Sequence, residues 1–266
     1  MKKGLWGLWT ILAVALALFL ITSSFDSLKV GPVELKSSGM AERLTRPPVT
    51  NAESLVGIVA ETVGSIERFT VKSEPKMVDT TSKTILFIGD SMLEGLSPRL
   101  AAYAKENGHT LYTVIWYSST SKIWSDAAKL TVYIRKFQPD YIFVCLGANE
   151  LFVKDIMAKR DRCVRNIIKE IGNIPFVWIG PPNWKPDTGI NRLIANNVGN
   201  GCYFKSEGME FERAKDGAHP THQSAALWMD SVVRWMYLHA QHPIKLDVPS
   251  VAQARPKKVE VLQPLK

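Results

Sequence analysis

The sequence is poor in cysteine and lacks the residue patterns of a metal site. Its 266 residues include three cysteines, none in a C-x-x-C pair, and no H-E-x-x-H motif. Zinc sites need thiolates and imidazoles at such short spacings, so we predict no metal and no other cofactor. The odd count leaves open whether Cys163 and Cys202 form a disulfide. Cys145 lies within an apolar run and is predicted to be a core residue.

The chain also lacks a concentrated region of positive charge. Its net charge is +8, with ten basic and eight acidic residues up to position 83, eighteen and fifteen over 84–242, and five and two thereafter. Proteins that read nucleic acid gather their excess on one face, so we predict no nucleic-acid partner. We interpret 243–266 as a basic flexible tail, which either contacts anionic lipid or an acidic polymer or keeps a disordered end soluble.

One long apolar run is present, at the amino terminus. Met1-Lys2-Lys3 is followed by the apolar stretch from Gly4 to Ile21. At about 1.5 Å per residue a helix of this length spans most of a hydrocarbon core of roughly 30 Å. We predict that 1–24 places the chain in the inner (cytoplasmic) membrane as a single-pass anchor, with the remainder periplasmic or extracytoplasmic. The small residues Thr22-Ser23-Ser24 leave cleavage as a signal peptide open.

The stretch 25–83 has the composition of an extracytoplasmic linker. It is polar and contains Gly31-Pro32 and Pro47-Pro48. Apolar residues recur near helical spacing from Ser54 to Phe69, which predicts one amphipathic helix. That helix could pack on the following domain, pair with another chain or lie on the membrane.

From 84 to 242 strand-like and helix-like segments alternate. The predicted strands are Ile85–Ile88, Thr110–Trp116, Tyr141–Leu146, Phe176–Ile179 and, more weakly, Cys202–Phe204. The predicted helices are Met92–Asn107, Ser125–Phe137, Phe152–Ile171 and Gln223–Ala240. This alternation predicts an α/β fold with a central parallel sheet covered by helices on both faces. Ligands of such sheets bind beyond the carboxyl ends of the strands.

A serine stands at the corner between the first of these strands and its helix, in the sequence Gly89-Asp90-Ser91. A hydroxyl there lies beside a helix amino terminus, where free N–H groups favour negative charge, as a nucleophile needs. The alternative is that Asp90 or Ser91 only caps the helix. A nucleophilic serine also requires a base and a carboxylate, and Asp216-Gly217-Ala218-His219 supplies both.

Together with Gly147-Ala148-Asn149-Glu150, these segments resemble the SGNH/GDSL hydrolase superfamily over roughly Thr84 to His239. The resemblance implies a flavodoxin-like three-layer sandwich and an esterase or acyl-transfer activity. It implies that Ser91 is the nucleophile, that His219 and Asp216 complete the catalytic triad, and that Ser91 and Asn149 form part of the oxyanion hole.

The chain departs from the family pattern at two places. Glu150 stands where the family usually has aspartate, and the loop Ser118-Ser119-Thr120-Ser121 lacks the glycine whose N–H joins the oxyanion hole. Any residue except proline can donate a backbone N–H, so Ser121 is predicted as the third donor.

Three further residues near this edge have two interpretations each. Trp184 either stacks on a sugar ring or fills the core, and Asp90 either contributes to substrate binding or bonds within its own turn. His222 is a rival base, or belongs to the start of the following helix.

These residues favour an exported, membrane-tethered serine esterase that removes acyl groups from a cell-envelope glycan. The expected acyl group is acetyl. A second hypothesis is an O-acyltransferase that moves an acyl group onto an envelope polysaccharide through the same serine, with a membrane acyl-donor protein as partner. A third is a catalytically inactive glycan-binding or scaffold protein. The expected ligand is an acylated envelope glycan or a small ester, and the expected membrane contact is the amino-terminal helix.

Overall fold

The computed structural model describes residues 27–30, 33–36 and 77–265, which fall into two units, 1–72 and 73–266. In the first unit β1 (Ser27–Val30) pairs antiparallel with β2 (Val33–Lys36), so a hairpin occurs within the predicted linker. The predicted anchor 1–24 and the predicted amphipathic helix 54–69 lie outside the described residues. Within the described part of the chain, every helix is too short or too polar to span a membrane.

The second unit alternates strands and helices. In chain order its elements are β3 (Thr84–Gly89), α1 (Leu93–Glu106), β4 (Thr110–Trp116), α2 (Ser121–Ala127), α3 (Lys129–Phe137), β5 (Tyr141–Cys145), α4 (Ile156–Ile171), β6 (Phe176–Ile179), α5 (Ile190–Val198), β7 (Tyr203–Phe204), α6 (His222–His239) and β8 (Lys258–Leu262).

The strands of this unit form one six-stranded sheet in the order β7-β6-β5-β3-β4-β8, and every neighbouring pair is parallel. The predicted α/β fold with a central parallel sheet is therefore confirmed. The chain runs from β3 to β4 on one side and returns to β5 on the other. The crevice beyond the ends of β3 and β5 is thus the topological switch point, where ligands of open parallel sheets bind.

Strand residues alternate between two apolar cores, one on each face of the sheet. Ile85 and Phe87 pack with α1 and α6, whereas Leu86 and Ile88 pack with the helices α2 to α5. All four side chains are fully buried. A strand buried on both faces is a continuous apolar run, which is why this segment could be predicted from sequence. The result is three layers, helix on sheet on helix.

Two helical predictions needed correction. The predicted helix from Ser125 to Phe137 is two helices, α2 and α3, because Ala128 between them adopts a left-handed conformation with φ of 45°. Helix α4 begins at Ile156 rather than Phe152, and α5 was not predicted. The α5 amino terminus is fixed by Asp187, whose carboxylate accepts from the N–H groups of Gly189, Ile190 and Asn191.

The prediction of a flexible tail from 243 onward is wrong at two places: Ile244 and Leu246 are buried, and Lys258–Leu262 form strand β8. Strand β8 extends the sheet beside β4, with Lys258 opposite Tyr112 and Leu262 opposite Trp116. The Trp116 indole N–H donates to the Gln263 carbonyl at 3.0 Å, and Lys136 of α3 pairs with Glu260 at 2.5 Å. Strand β8 lies at the edge of the sheet and contains charged residues. In the sequence, such a pattern resembles a solvated tail.

Candidate active site

Ser91 lies at the sharp corner between β3 and α1. The corner needs glycine at position 89, because a Cβ there would lie 2.2 Å from the Cys145 carbonyl oxygen of the neighbouring strand. The Asp90 N–H donates to that same carbonyl at 3.2 Å, which fixes the turn against β5. Ser91 is therefore held beyond the carboxyl edge of the sheet, two residues ahead of Leu93, where α1 begins.

The structure brings Ser91 and His219 together, although they are 128 positions apart in the sequence. His219 Nε2 lies 2.8 Å from Ser91 Oγ, and His219 Nδ1 lies 2.7 Å from Asp216 Oδ2. In the tautomer that carries its proton on Nδ1, the imidazole donates to Asp216 and accepts from the Ser91 hydroxyl. These are the contacts that a serine nucleophile, its general base and the orienting carboxylate require.

Asp216 is held in its ionised form by the turn in which it lies. The backbone N–H of His219 donates to its carboxylate at 3.0 Å and the N–H of Ala218 does so at 2.9 Å. These bonds, together with the imidazole, lower the pKa of Asp216 to about 2. The turn is anchored where the Ala214 N–H donates to the His219 carbonyl and where Arg213 bonds the Ala218 carbonyl. The side chain of Asp216 is 51% exposed and that of His219 is 35% exposed, so the triad opens to solvent.

Two hydrogen-bond donors are available for a developing oxyanion. Within the described part of the chain, no hydrogen bond uses the Ser91 backbone N–H. Asn149 follows β5, whose Cys145 is opposite Gly89 in β3, so its side chain lies beyond the same sheet edge as Ser91. The Asn149 amide donates one hydrogen to the Ser119 carbonyl at 3.0 Å. Its second amide hydrogen has no acceptor among the described residues.

The prediction that Ser121 donates to the oxyanion is wrong. Its backbone N–H donates to Glu150 Oε2 at 2.7 Å and its hydroxyl donates to Glu150 Oε1 at 2.9 Å. Ser121 is buried and begins α2, so its N–H points to a carboxylate and not to the crevice. Ser121 thereby links its loop to the loop of Asn149.

The prediction that Asp90 contributes to substrate binding is also wrong. Its side chain is completely buried beneath the corner. One carboxylate oxygen accepts from the Met92 N–H at 3.0 Å, and the other has no hydrogen-bond partner among the described residues. Burial raises the pKa of Asp90 to about 7. Of the two interpretations, bonding within its own turn is the one that the geometry supports.

Ser91, Asn149, Asp216 and His219 follow one another along the chain and converge on the carboxyl edge of β3 and β5. These are the residues to which the resemblance noted in the sequence assigns the nucleophile, an oxyanion donor and the rest of the triad. No protein-family model matches the chain, and no curated protein matches it.

Several solved structures are similar to the chain, and three of them are described here. The psychrotrophic esterase EstA from Pseudoalteromonas sp., inhibited by monoethylphosphonate, has 18% identity and a TM-score of 0.44 over 57% of this chain and 98% of its own. A protein from Desulfitobacterium hafniense DCB-2 described as lipolytic and of the G-D-S-L family has 13% identity and a TM-score of 0.40 over 57% and 98%. A protein from Streptococcus pneumonia described as a platelet activating factor has 13% identity and a TM-score of 0.40 over 69% and 99%.

Trp184 lies beside the site of Ser91 and Asn149, where it supports the backbone after β5. Its indole N–H donates to the Ala148 carbonyl at 2.9 Å, next to Asn149. The ring packs edge to face on Phe152, and the ammonium of Lys185 lies 4.5 Å from its centre. Trp184 is partly buried against both cores, so it combines features of the two interpretations, and a role in substrate binding stays a prediction.

The remaining candidate residues do not contact Ser91, His219 or Asp216 among the described residues. His222 is the first residue of α6, where Thr221 caps the helix by accepting from the Ser224 N–H at 3.2 Å. Cys163 and Cys202 are not joined by a disulfide: the Cys163 thiol lies against the Lys159 carbonyl, and the Cys202 thiol lies 3.2 Å from Gln241 Oε1. The pKa of the Cys145 thiol is raised by burial within the sheet.

Sequence reasoning missed Arg160, which pairs with Glu150 at 2.6 Å. Glu150 was visible as a departure from the family pattern, but no short-range motif connects it to a cation ten residues later.

Proposed function

We propose that the chain is a serine esterase of the SGNH/GDSL superfamily. The observation that carries the proposal is the hydrogen-bonded series from Ser91 Oγ through His219 to Asp216, with distances of 2.8 and 2.7 Å. In acyl transfer, a hydroxyl, an imidazole and an ionised carboxylate in this geometry act as the nucleophile, the general base and the group that orients the base.

The reaction follows from these contacts. His219 Nε2 takes the proton of Ser91 as Oγ attacks the ester carbonyl, and the carbonyl oxygen becomes an oxyanion. The Ser91 N–H and the free amide hydrogen of Asn149 stabilise that charge. His219 then gives its proton to the leaving alcohol, which leaves an acyl-serine. Water, deprotonated by the same imidazole, releases the acid and restores Ser91. Asp216 stays ionised throughout and stabilises the imidazolium.

The substrate that we propose is an acylated glycan of the cell envelope, with acetyl as the acyl group. Two observations support a bulky, polar substrate over a small buried one. The triad is open to solvent, with His219 35% exposed, and Trp184 and Phe152 present aromatic surface beside Asn149. The apolar run from Gly4 to Ile21 behind Lys2 and Lys3 supports export and retention in the cytoplasmic membrane.

The test of the esterase is hydrolysis of an aryl acetate by the wild-type protein and by Ser91→Ala. The wild type is expected to hydrolyse it and the variant to lose at least a thousandfold in kcat, because the nucleophile is absent. Ser231→Ala, a serine on the exposed side of α6 that bonds only the Leu227 carbonyl, is a matched control and should behave as wild type. Equal rates in Ser91→Ala and wild type would refute the proposal.

Acyl transfer to a sugar hydroxyl is the second candidate, and the open triad is the observation that favours it. An acyl-serine that solvent can reach is also within reach of an acceptor alcohol. Incubation with an aryl acetate and a deacetylated envelope glycan separates the two: acetylated glycan accumulates if transfer dominates, and free acetate alone accumulates if hydrolysis does. A membrane protein that supplies the acyl group would be the natural partner in the first case. If no acyl group is transferred to Ser91, the third hypothesis remains, a glycan-binding or scaffold protein without catalytic activity.

A further inference from the structure

Glu150 accepts three hydrogen bonds, although it has no place in the reaction. It is fully buried and adjoins Asn149 in the chain. The N–H and hydroxyl of Ser121 donate to its two oxygens at 2.7 and 2.9 Å, and Arg160 Nε donates at 2.6 Å. Charge-assisted bonds of this length are the strong ones, so the three groups form a rigid unit.

The cluster of Ser121, Glu150 and Arg160 joins two loops that no strand pairing connects. The loop 118–121 follows β4 and the loop 147–150 follows β5, and these two strands lie on opposite sides of β3. The loops meet only beyond the end of β3, where Ser91 lies. Two side-chain links bridge them there, from Asn149 to the Ser119 carbonyl and from Glu150 to Ser121. The position of the Asn149 amide therefore depends on how firmly Glu150 is held.

Arg160 can hold Glu150 in place because it lies on a rigid helix. It lies in the second turn of α4, a helix anchored in the core by Val164, Ile167 and Ile171. The side chain of Arg160 is 16% exposed and that of Glu150 is 0% exposed, so the pair is shielded from water. A buried carboxylate without its cation would take up a proton or draw water into the site, and either change would loosen the loop of Asn149.

We propose that Arg160 is a positioning residue for the oxyanion hole: acting through Glu150, it fixes the amide of Asn149 where the oxyanion forms. The inference rests on the proposed esterase function. Among the described residues, the polar contacts of Arg160 are with Glu150 and the Lys159 carbonyl and not with Ser91, and the oxyanion exists only after attack. Loss of Arg160 should therefore lower kcat and leave KM nearly unchanged.

The experiment is a double-mutant cycle on aryl acetate hydrolysis with Arg160→Met, Asn149→Ala and the double variant. Loss of one oxyanion donor typically costs about a hundred- to a thousandfold in kcat, which sets the expectation for Asn149→Ala. Arg160→Met is expected to lower kcat by roughly tenfold or more at constant KM, within that ceiling. The double variant should be no slower than Asn149→Ala alone, because Arg160 has no other route to the reaction.

Arg165→Met is the matched control, since Arg165 lies on the same helix and forms an exposed pair with Asp161 at 2.6 Å. It should retain wild-type kcat. Arg160→Gln, which keeps a donor toward Glu150 without the charge, replaces Arg160→Met if the methionine variant does not fold, and should lose less. An unchanged kcat in Arg160→Met, or losses that multiply in the double variant, would overturn the inference while the wild-type activity upholds the esterase. A wild type without activity, and without labelling of Ser91 by a phosphonate, would overturn both.

Discussion

Replacing Asp90 by asparagine is predicted to abolish a pH dependence of folding stability that this one buried carboxyl creates. Asp90 is completely buried, and one of its oxygens has no hydrogen-bond partner within the described residues. Burial raises its pKa from the ordinary value of 3.8 to about 7, against the opposing effects of the Met92 N–H and of His219. An asparagine at this position still accepts from Met92 but carries no charge at any pH.

The sign follows from the protonation of the two states. Below about pH 4 the carboxyl is protonated whether the chain is folded or unfolded, so it contributes no pH-dependent term. Between about pH 4 and pH 7 the folded state keeps a proton that the unfolded state has lost, so stability falls as the pH rises. Above about pH 7 the folded protein must hold a desolvated charge, and a pKa raised this far corresponds to roughly 4 kcal/mol of lost stability.

The assay is urea unfolding of wild type and Asp90→Asn at several values from pH 4.5 to pH 8. The quantity to follow is the difference in free energy of unfolding between the two proteins, because His109 acts in the opposite direction: its burial lowers its pKa and penalises folding in acid. The variant should gain on wild type by up to roughly 4 kcal/mol between the two limits. A difference that does not change with pH would mean that Asp90 is hydrated in the native state, and the reasoning would fail.

Two further predictions concern groups outside the triad. Trp184→Phe removes the indole donor to the Ala148 carbonyl and should cost about 1 kcal/mol, or about 2–4 °C in Tm, with a fall in kcat because the loop of Asn149 loosens. A calorimetric Tm equal to that of wild type would contradict this supporting role of the indole. Deleting residues 258–266 removes β8, exposes the edge of β4 and leaves the Trp116 indole without its acceptor, so the protein should lose stability and associate through the open edge. Light scattering checks this, and a monomer of unchanged stability would show that β8 is dispensable.

The central strands could be predicted from the sequence because burial on both faces leaves little choice of residue. Thr110–Trp116 and Phe176–Ile179 were located to the residue, since each is an apolar run of β-forming side chains between turns. The edge was harder. In β8 the valines 259 and 261 are close to half exposed and alternate with charged residues, so the pattern did not distinguish a strand from a solvated tail.

The break at Ala128 and helix α5 show a second limit. Alanine favours helix, so nothing local predicts the left-handed conformation that splits α2 from α3; tertiary packing imposes it. Helix α5 did have a signal, because Asp187 and Gly189 precede an apolar pair at Leu193 and Ile194. A preceding loop rich in proline obscured it.

The site residues also fall into two groups, those that short motifs predict and those that only the fold positions. Ser91, Asn149 and the Asp216–His219 pair are set by short motifs whose strand-to-loop context fixes where they lie, and the structure places them at one edge. Ser121 and Asp90 were misjudged because the direction of a backbone N–H and the depth of a carboxylate depend on which loops meet, and only folding brings Glu150 to Ser121.

The measurement that tests the account most directly is the intact mass of the protein after reaction with a serine-directed phosphonate, followed by peptide mapping. One adduct is expected, on Ser91, with none in Ser91→Ala and much slower formation in His219→Ala, because the hydroxyl needs the imidazole 2.8 Å away to become a nucleophile. A wild-type protein that stays unmodified, or that is labelled at another residue, would contradict it.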